Sequence, residues 1–287
     1  MPIFGSHLSI AGGYYKAVRA ARELGFDAVQ IFTKNNNRWD GKPLSPEDVA
    51  LFADAVKETG VAPPISHDSY LINLSATDPV LLDRSRAAMV DELRRAAALG
   101  IPHVVAHPGA HLGAGEEAGL KLVAESLDLV FGETADLKTT VALETTAGQG
   151  SHLGWRFEHL QSIIAQCSFP DRLTVCVDTC HIFAAGYPLA ERRDYLKTMR
   201  QLDAAVGLER IVCWHINDSK KELGSRVDRH EHIGRGCLGP EPFRHLVNDK
   251  RFAKVPLILE TAKEDEPKTK RPWDAINLAV LRRLCKS

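Results

Sequence analysis

The sequence predicts an α/β protein, a (β/α)8 TIM barrel that forms one domain over residues 1–287. The first observation is that eight short apolar runs recur along the chain, each rich in Val, Ile or Leu and bounded by polar residues or glycine. Strands that are buried on both faces of a parallel sheet have this composition. The second observation is that helical patterns fill the intervals between the runs. Eight alternations of strand and helix favour closure into a barrel.

The predicted strands are 3–7, 28–34, 62–67, 103–107, 140–144, 173–178, 210–218 and 255–260. The predicted helices lie near 12–24, 45–60, 78–100, 116–131, 156–166, 189–206, 240–248 and 273–285. Ser45 followed by Pro46 is typical of a helix start, and Gly60 of a helix end. An open doubly wound sheet is the alternative, but no G-x-G-x-x-G motif follows the first strand.

The composition is that of an ordinary globular protein, with 44% hydrophobic and 25% charged residues. The chain contains no run of 18 apolar residues, so we expect no membrane association. The six cysteines form no C-x-x-C pair, and the N-terminus does not resemble a secretory signal. We therefore expect a cytoplasmic protein, associated in its function with the nucleoid if it is bacterial. The net charge of −1 means that any nucleic acid would have to bind to a local basic surface.

Acids and histidines end the predicted strands from the third to the eighth: His67, His107, Glu144, Asp178, His215 and Glu260. The carboxyl ends of barrel strands gather on one face, so these six side chains should converge there. A single histidine after a strand is more often structural, and a single carboxylate can simply cap the next helix. Pooled together, however, such groups would repel one another or stay unsatisfied without cations.

Imidazole and carboxylate donors suit Zn²⁺, Mn²⁺ or Fe²⁺ better than Ca²⁺ or Mg²⁺. Six ligands exceed the needs of one tetrahedral zinc ion and would fit two ions about 3.5–4 Å apart. The polar segment "HINDSKKELGSRVDRHEHIGRG" (215–236) adds Asp228 and His230, and His181 follows three residues after Asp178. Together, His181, Asp228 and His230 could hold a further ion.

Two more polar residues of the same segment, Asp218 and His232, need a different interpretation. We interpret both as loop groups or as hydrogen-bond partners of ligands, because metal-bound histidines need such partners.

The sequence resembles the endonuclease IV family of metal-dependent apurinic/apyrimidinic endonucleases, from "GSHLSIAGG" at residue 5 to "LILET" at 257–261. The motifs between them are "HDSYLINL" (67–74), "HPGAH" (107–111), "LETTAGQG" (143–150), "CVDTCHIFAAGY" (176–187) and the segment 215–236. Two positions depart from the family pattern. Arg38 stands directly before Trp39, where members carry arginine before a glutamine–tryptophan pair, and Thr145 stands where asparagine is frequent. We expect little consequence from Thr145.

The resemblance implies three Zn²⁺ ions per chain, with Mn²⁺ able to replace zinc at one or more sites. The implied ligand sets are His67, His107 and Glu144; Glu144, Asp178, His215 and Glu260; and His181, Asp228 and His230. Glu144 would bridge two ions, and Glu144 and Glu260 are the candidate catalytic residues. The implied reaction is hydrolysis of the phosphodiester 5′ to an abasic site, leaving a 3′-hydroxyl and a 5′-deoxyribose phosphate, as in base excision repair. Removal of blocking groups from 3′ ends is also implied.

The partner that we expect is double-stranded DNA with an abasic site, bound by a monomer. Basic residues follow several predicted strands, and Tyr70 offers an apolar face beside His67. The candidate DNA contacts are Lys34, Asn35, Arg38, Tyr70, Lys220 and Arg229. Solvated surface charge is the alternative interpretation of such basic residues, and it is weaker for the loops around Lys34 and Lys220, which should flank the metal-binding face.

Two other functions remain open from the residues themselves. A sugar isomerase or epimerase would use strand-end acids and a histidine around a metal, but it has no need of the third group. A binding module without catalysis would have no need of a bridging carboxylate.

Overall fold

Eight parallel strands close into a barrel in the computed structural model, which describes residues 1–286. The barrel strands are β1 (Ile3–His7), β2 (Ala28–Phe32), β3 (Pro64–His67), β4 (His103–Ala106), β5 (Thr140–Glu144), β6 (Leu173–Asp178), β7 (Ile211–His215) and β10 (Pro256–Leu259). Hydrogen bonds join them in the order β1-β10-β7-β6-β5-β4-β3-β2, and β2 pairs with β1 to close the ring. The predicted fold class is therefore confirmed.

Helices surround this ring. They are α1 (Tyr14–Leu24), α2 (Pro46–Thr59), α3 (Pro79–Ala98), α4 (Glu116–Glu133), α5 (Phe157–Gln166), α6 (Thr179–Ala185), α7 (Arg192–Val206), α8 (Glu241–Val247) and α9 (Trp273–Leu284). Ser45 caps α2 as expected, since its hydroxyl accepts a hydrogen bond from the Asp48 amide at 3.0 Å. Asp78 caps α3 in the same way, accepting from the Leu81 amide at 2.8 Å.

The structure differs from the sequence prediction mainly after β6 and β7. Helix α6 was not predicted as a separate element, because its seven residues are too few to show a clear helical period. The predicted strand 210–218 ends at His215, since the Asn217 amide turns to donate to the Thr179 hydroxyl at 2.9 Å. The next residues form β8 (Asp218–Ser219), which pairs antiparallel with β9 (His230–Glu231). This small sheet folds segment 215–236 back over the barrel mouth, which is the open end formed by the carboxyl ends of the strands.

Buried apolar side chains fill the inside of the barrel directly below that mouth. Seven strands each contribute one residue to this layer: Ala28, Ile65, Val105, Ala142, Cys176, Cys213 and Ile258. A larger core lies between the strands and the outer helices. Close packing on both sides of the strands holds their carboxyl ends at fixed positions.

Across residues 1–286, the structure contains no helix with the length and apolar character that crossing a membrane requires.

Candidate metal centre at the carboxyl face of the barrel

Six strand ends bring their acids and histidines to one face of the barrel, and one residue of α6 and two residues of segment 215–236 join them. The nine residues are His67, His107, Glu144, Asp178, His181, His215, Asp228, His230 and Glu260. They supply five imidazoles and four carboxylates. His181 comes from the first turn of α6, and Asp228 and His230 come from the returning arm of segment 215–236.

Glu144 is the centre of this cluster, and its side chain is fully buried. Its Oε2 lies 3.1 Å from His67 Nε2 and 3.2 Å from His107 Nε2. Its Oε1 lies 2.9 Å from His215 Nδ1 and 3.2 Å from His181 Nδ1. One carboxylate oxygen therefore faces His67 and His107 and the other faces His215, which is the arrangement that a carboxylate bridging two ions needs.

A second group forms around His215, which is also fully buried. Its Nδ1 lies 3.0 Å from Glu260 Oε2 and 4.0 Å from Asp178 Oδ2. The candidate ligand atoms of Glu144, Asp178, His215 and Glu260 all lie within 4.8 Å of one another. Three carboxylates and one imidazole from four strand ends therefore surround one position.

The third group lies toward the loops. Asp228 Oδ2 lies 3.2 Å from His181 Nε2, and Asp228 Oδ1 lies 3.4 Å from His230 Nε2. Asp178 Oδ2 also lies 3.4 Å from His230 Nε2, so Asp178 stands between the second and third groups. Asp178 in addition caps α6, because its Oδ1 accepts from the His181 amide at 2.9 Å. The two interpretations of this carboxylate, helix cap and ligand, are therefore compatible.

The outer nitrogens of four imidazoles face oxygen acceptors. His67 Nδ1 lies 3.0 Å from the Asp68 carbonyl, His181 Nδ1 lies 2.8 Å from the Thr145 carbonyl, and His230 Nδ1 lies 3.4 Å from the Glu260 carbonyl. His215 Nε2 lies 2.8 Å from the side-chain oxygen of Gln30. A carbonyl oxygen only accepts, so each of these nitrogens donates, and the opposite nitrogen of a neutral ring presents a lone pair to the cluster.

Those lone pairs face carboxylate oxygens, which carry no proton to share, so a positive charge, either a proton or a metal ion, is needed between them. The Nε2 atoms of His181 and His230 are buried and have no hydrogen-bond partner among the described residues. Outer nitrogens held by carbonyl and amide oxygens are the usual setting of metal-bound histidine. The residues present therefore fit a group of divalent ions with nitrogen and oxygen ligands.

Protons can occupy the same positions between imidazoles and carboxylates that metal ions would fill. The shifted pKa values of His181 and Glu144 show that protons bind there. Burial alone would lower the pKa of His181, but Asp178 and Asp228 outweigh burial and raise it well above the usual 6.5. Burial alone would raise the pKa of Glu144, but the charges of His215 and His107 outweigh it and hold that pKa well below 4.5. Metal binding at such groups displaces protons.

Cysteine sulfur lies close to the cluster but is a poor candidate ligand. Cys180 lies near Asp228 and His230, with its ligand atom within 4.8 Å of theirs. Burial raises the pKa of the Cys180 thiol to about 12. Because the thiolate is the form that binds metal, the carboxylates and imidazoles remain the better ligands.

Three polar residues that support the cluster were not identified as such from the sequence. Asn217 joins two ligands, since its Nδ2 donates to Asp178 Oδ2 at 2.7 Å and its Oδ1 accepts from the Glu260 amide at 2.8 Å. The Thr145 hydroxyl accepts a hydrogen bond from the Asp178 amide at 3.0 Å, and the Thr145 carbonyl accepts one from His181 Nδ1. Gln30 contacts His215. None of the three follows a pattern in sequence, because each is defined by its neighbours across the barrel.

Asp218 and His232 both lie outside the three groups, and Asp218 lies in the short strand β8. Asp218 accepts from the amides of Gly236 and Leu238, both at 3.0 Å, and so closes the base of segment 215–236. Gly236 is required there, because a Cβ at this position would lie 2.3 Å from the Ser219 carbonyl oxygen. His232 stacks on Trp273, with ring centroids 3.8 Å apart.

Most of the candidate DNA contacts lie exposed around the same mouth. Asn35 and Arg38 are exposed in the loop after β2, and Lys220 and Arg229 are exposed on neighbouring arms of segment 215–236. The Lys220 amide donates to the Arg229 carbonyl at 2.9 Å, so the two basic side chains start from adjacent positions. Tyr70 is 65% exposed.

Lys34 is the exception, and the structure corrects its expected role. Its side chain is 2% exposed, and its ammonium contacts Asp91 Oδ2 at 2.5 Å and Glu92 Oε1 at 3.3 Å, both on α3. Arg95, also on α3, donates to the carbonyls of Thr33 at 2.7 Å and of Lys42 at 2.9 Å. Lys34 and Arg95 therefore fasten the loop after β2 to the barrel, and the Lys34 ammonium is not available to a phosphate.

Comparison with known proteins shows close relatives. A family model described as a xylose isomerase-like TIM barrel matches residues 18–284. A probable endonuclease 4 from Chloroflexus aggregans is 52% identical over 284 residues, which cover 99% of this chain and 98% of that protein. The crystal structure of endonuclease IV from Thermus thermophilus matches with a TM-score of 0.85 and 40% identity, covering 99% of this chain and 98% of that one.

A more distant likeness shows the fold alone. The crystal structure of a D-tagatose 3-epimerase-like protein matches with a TM-score of 0.74 but 19% identity, over 98% of this chain and 96% of that one.

The fold and the cluster at its mouth define the general class, a xylose isomerase-like TIM barrel with a candidate metal centre where the strands end. Identity of about half the residues over nearly the whole length then decides the family. The chain belongs to the endonuclease IV family, as its motifs predicted.

Proposed function

We propose that this protein is a metal-dependent apurinic/apyrimidinic endonuclease of base excision repair. It hydrolyses the phosphodiester 5′ to an abasic site in double-stranded DNA and leaves a 3′-hydroxyl and a 5′-deoxyribose phosphate. The observation that carries the proposal is the buried Glu144, which faces four imidazoles in a chain 52% identical to a probable endonuclease 4. We also propose that it clears blocked 3′ ends and acts as a cytoplasmic monomer.

Three divalent ions would occupy the three ligand sets, with zinc as the expected metal and manganese able to substitute. His67 and His107 would hold the first ion with Glu144. Glu144 would share the second ion with Asp178, His215 and Glu260, and the third would lie among His181, Asp228 and His230. When bound, such ions supply positive charge to phosphate oxygens and lower the pKa of water.

Glu144 and Glu260 are the proposed catalytic residues, because they hold the second ligand set together and Glu260 lines the cavity beside it. Glu144 Oε1 and Glu260 Oε2 both face His215 Nδ1, at 2.9 Å and 3.0 Å. Two carboxylates that are held this close keep the positive charge of bound ions fixed before the phosphate arrives. Fixed charge of this kind stabilises the developing oxyanions without reorganisation during the reaction.

A cavity of about 580 Å³ beside the cluster is suited to an abasic nucleotide. Tyr70 and Phe32 line one part of it, with ring centroids 5.5 Å apart, and Glu260 and His230 line another. An abasic nucleotide costs little to turn out of the stack, so a pocket of this kind can select it without reading a base. Asn35, Arg38, Lys220 and Arg229 would contact the phosphates around the mouth.

The test is incision of a duplex with one tetrahydrofuran abasic analogue, which cannot react by β-elimination. We expect cleavage on the 5′ side, and a DNA polymerase should extend the product because it ends in a 3′-hydroxyl. The matched variant is Glu260→Gln, which keeps the shape but removes a ligand charge. We expect its turnover to fall by more than about 100-fold, since even outer partners of metal ligands are worth 10- to 100-fold. Incision by Glu260→Gln near the wild-type rate would remove Glu260 from the ligand set.

A further inference from the structure

Gln30 is a fully buried amide on β2 that contacts three side chains of the barrel mouth. Its Nε2 donates to Glu260 Oε1 at 2.7 Å and lies 2.9 Å from His7 Nδ1. Its Oε1 lies 2.8 Å from His215 Nε2. Both amide protons and the amide oxygen therefore have partners on three other residues, from β1, β7 and the end of β10.

The orientation of this amide is decided by Glu260. A carboxylate only accepts hydrogen bonds, so the Gln30 nitrogen must face Glu260 and the Gln30 oxygen must face His215. An amide oxygen cannot donate, so His215 Nε2 carries the proton, and the lone pair of a neutral His215 ring is on Nδ1. The opposite amide orientation would place two oxygen acceptors against each other.

Gln30 also decides which atoms of the two ligands remain free. It contacts Nε2 of His215 and Oε1 of Glu260. The atoms left over, His215 Nδ1 and Glu260 Oε2, lie 3.0 Å apart and face the same point between Glu144 and Asp178. One side chain thus selects the presented atom of two ligands that come from different strands.

This contact differs from those of the other imidazoles. The outer nitrogens of His67, His181 and His230 face backbone carbonyls. No substitution at a neighbouring position removes a backbone carbonyl, whereas the partner of His215 is a side chain that one substitution removes.

We propose that Gln30 is a positioning residue of the candidate metal centre, which fixes His215 as an Nδ1 ligand and Glu260 as an Oε2 ligand of the second ligand set. The inference rests on the proposed function, because it takes His215 and Glu260 as ligands. Gln30 does not touch substrate in this role, and it acts through the two ligands alone.

The experiment uses Gln30→Met, which keeps the length and apolar volume but removes both hydrogen-bonding groups. Zinc affinity is measured by competition with a chromophoric chelator. We expect one of the three zinc equivalents to bind about 10- to 100-fold more weakly and the other two to stay within about twofold. The control is Thr140→Val, which removes a partly buried hydroxyl contact to His103 at the opposite end of the barrel and should leave all three unchanged.

A second measurement reads the His215 ring directly. Long-range ¹H–¹⁵N spectra of the zinc-loaded protein distinguish a metal-bound Nδ1 from a metal-bound Nε2, with the His215 signals assigned by their loss in His215→Asn. We expect Nδ1 coordination in the wild type, and loss of the single Nδ1-bound form in Gln30→Met. If Gln30→Met does not fold, Gln30→Asn replaces it, because its amide is one methylene too short to reach both ligands.

The outcomes separate the two proposals. Wild-type protein that binds no zinc contradicts the proposed function itself. Wild-type protein that binds three zinc ions, together with a Gln30 variant of unchanged affinity and unchanged His215 coordination, overturns the role of Gln30 alone.

Discussion

Substitutions of Lys34 and Arg38 should have contrasting effects, the first on folding stability and the second on DNA binding. Its ammonium is enclosed by Asp91 and Glu92, whereas Arg38, four residues further on, is exposed. Lys34→Met should therefore cost folding stability and leave the number of phosphate contacts unchanged. Arg38→Ala should leave stability unchanged and remove a phosphate contact.

The magnitude follows from burial. Removing one partner of a buried ion pair costs about 3–5 kcal/mol. Asp91 is 44% exposed and recovers solvation, so its share is small. Burial already raises the pKa of Glu92 against the opposing charge of Lys34, so the carboxyl can take up a proton when the lysine is removed. We expect a loss of about 3 kcal/mol for Lys34→Met, near the lower end of that range, and less than about 0.5 kcal/mol for Arg38→Ala.

The assay combines urea unfolding with DNA titration. In the Glu260→Gln background, where cleavage is suppressed, the affinity for abasic duplex is measured at several salt concentrations. The affinity falls as salt rises, and Arg38→Ala should make the plot of log affinity against log salt less steep by about one unit of slope. Lys34→Met should leave that slope unchanged. The opposite result would be a Lys34→Met protein that has wild-type stability and a plot less steep by about one. That result would refute the buried role of Lys34 and show that it contacts DNA.

Two further predictions concern the pocket and pH. Tyr70→Ala should weaken binding to abasic duplex by about 1–3 kcal/mol, as loss of an aromatic stacking surface does. It should leave zinc content and binding to intact duplex unchanged. Equal losses of affinity for both duplexes would contradict a role of Tyr70 in the pocket. Hydrogen bonds and charges of nearby carboxylates outweigh burial and raise the pKa values of His67 and His181 well above 6.5. Both rings therefore hold protons above pH 6.5 in the metal-free protein, so zinc affinity should rise with pH there, by about tenfold per displaced proton and pH unit. An affinity that stays flat from pH 6.5 to about pH 8, measured by chelator competition, would contradict this.

The barrel could be predicted because its strands are short, apolar and regularly spaced, and because a closed ring of parallel strands places all their carboxyl ends on one face. The same geometry explains why residues as distant as His67 and Glu260 could be assigned to one site from the sequence alone. The ends of β2 and β7 could not be placed as well, since they lie at Phe32 and His215, two and three residues before the predicted ends. There the chain leaves the barrel through side-chain contacts, such as that of Thr179 with the Asn217 amide, which no periodic pattern shows.

Lys34 and Gln30 show what the sequence leaves out. A lysine after a strand has the same pattern whether it faces solvent or an acidic helix, and only the approach of α3 with Asp91 and Glu92 decides between the two. Gln30 lies within an apolar strand and belongs to no motif. Its role depends on His215, which is 185 residues away in the chain and 2.8 Å away in space.

We propose that the nine candidate ligands form three joined but separable ion sites, and the direct test is the number of metal ions per chain. Protein reconstituted with zinc and freed of loosely bound metal should contain three equivalents by mass spectrometry. His230→Ala should contain two, because it removes one ligand of the outermost group and leaves the contacts of Glu144 intact. One equivalent or none in the wild type, or the loss of all metal in His230→Ala, would contradict the account.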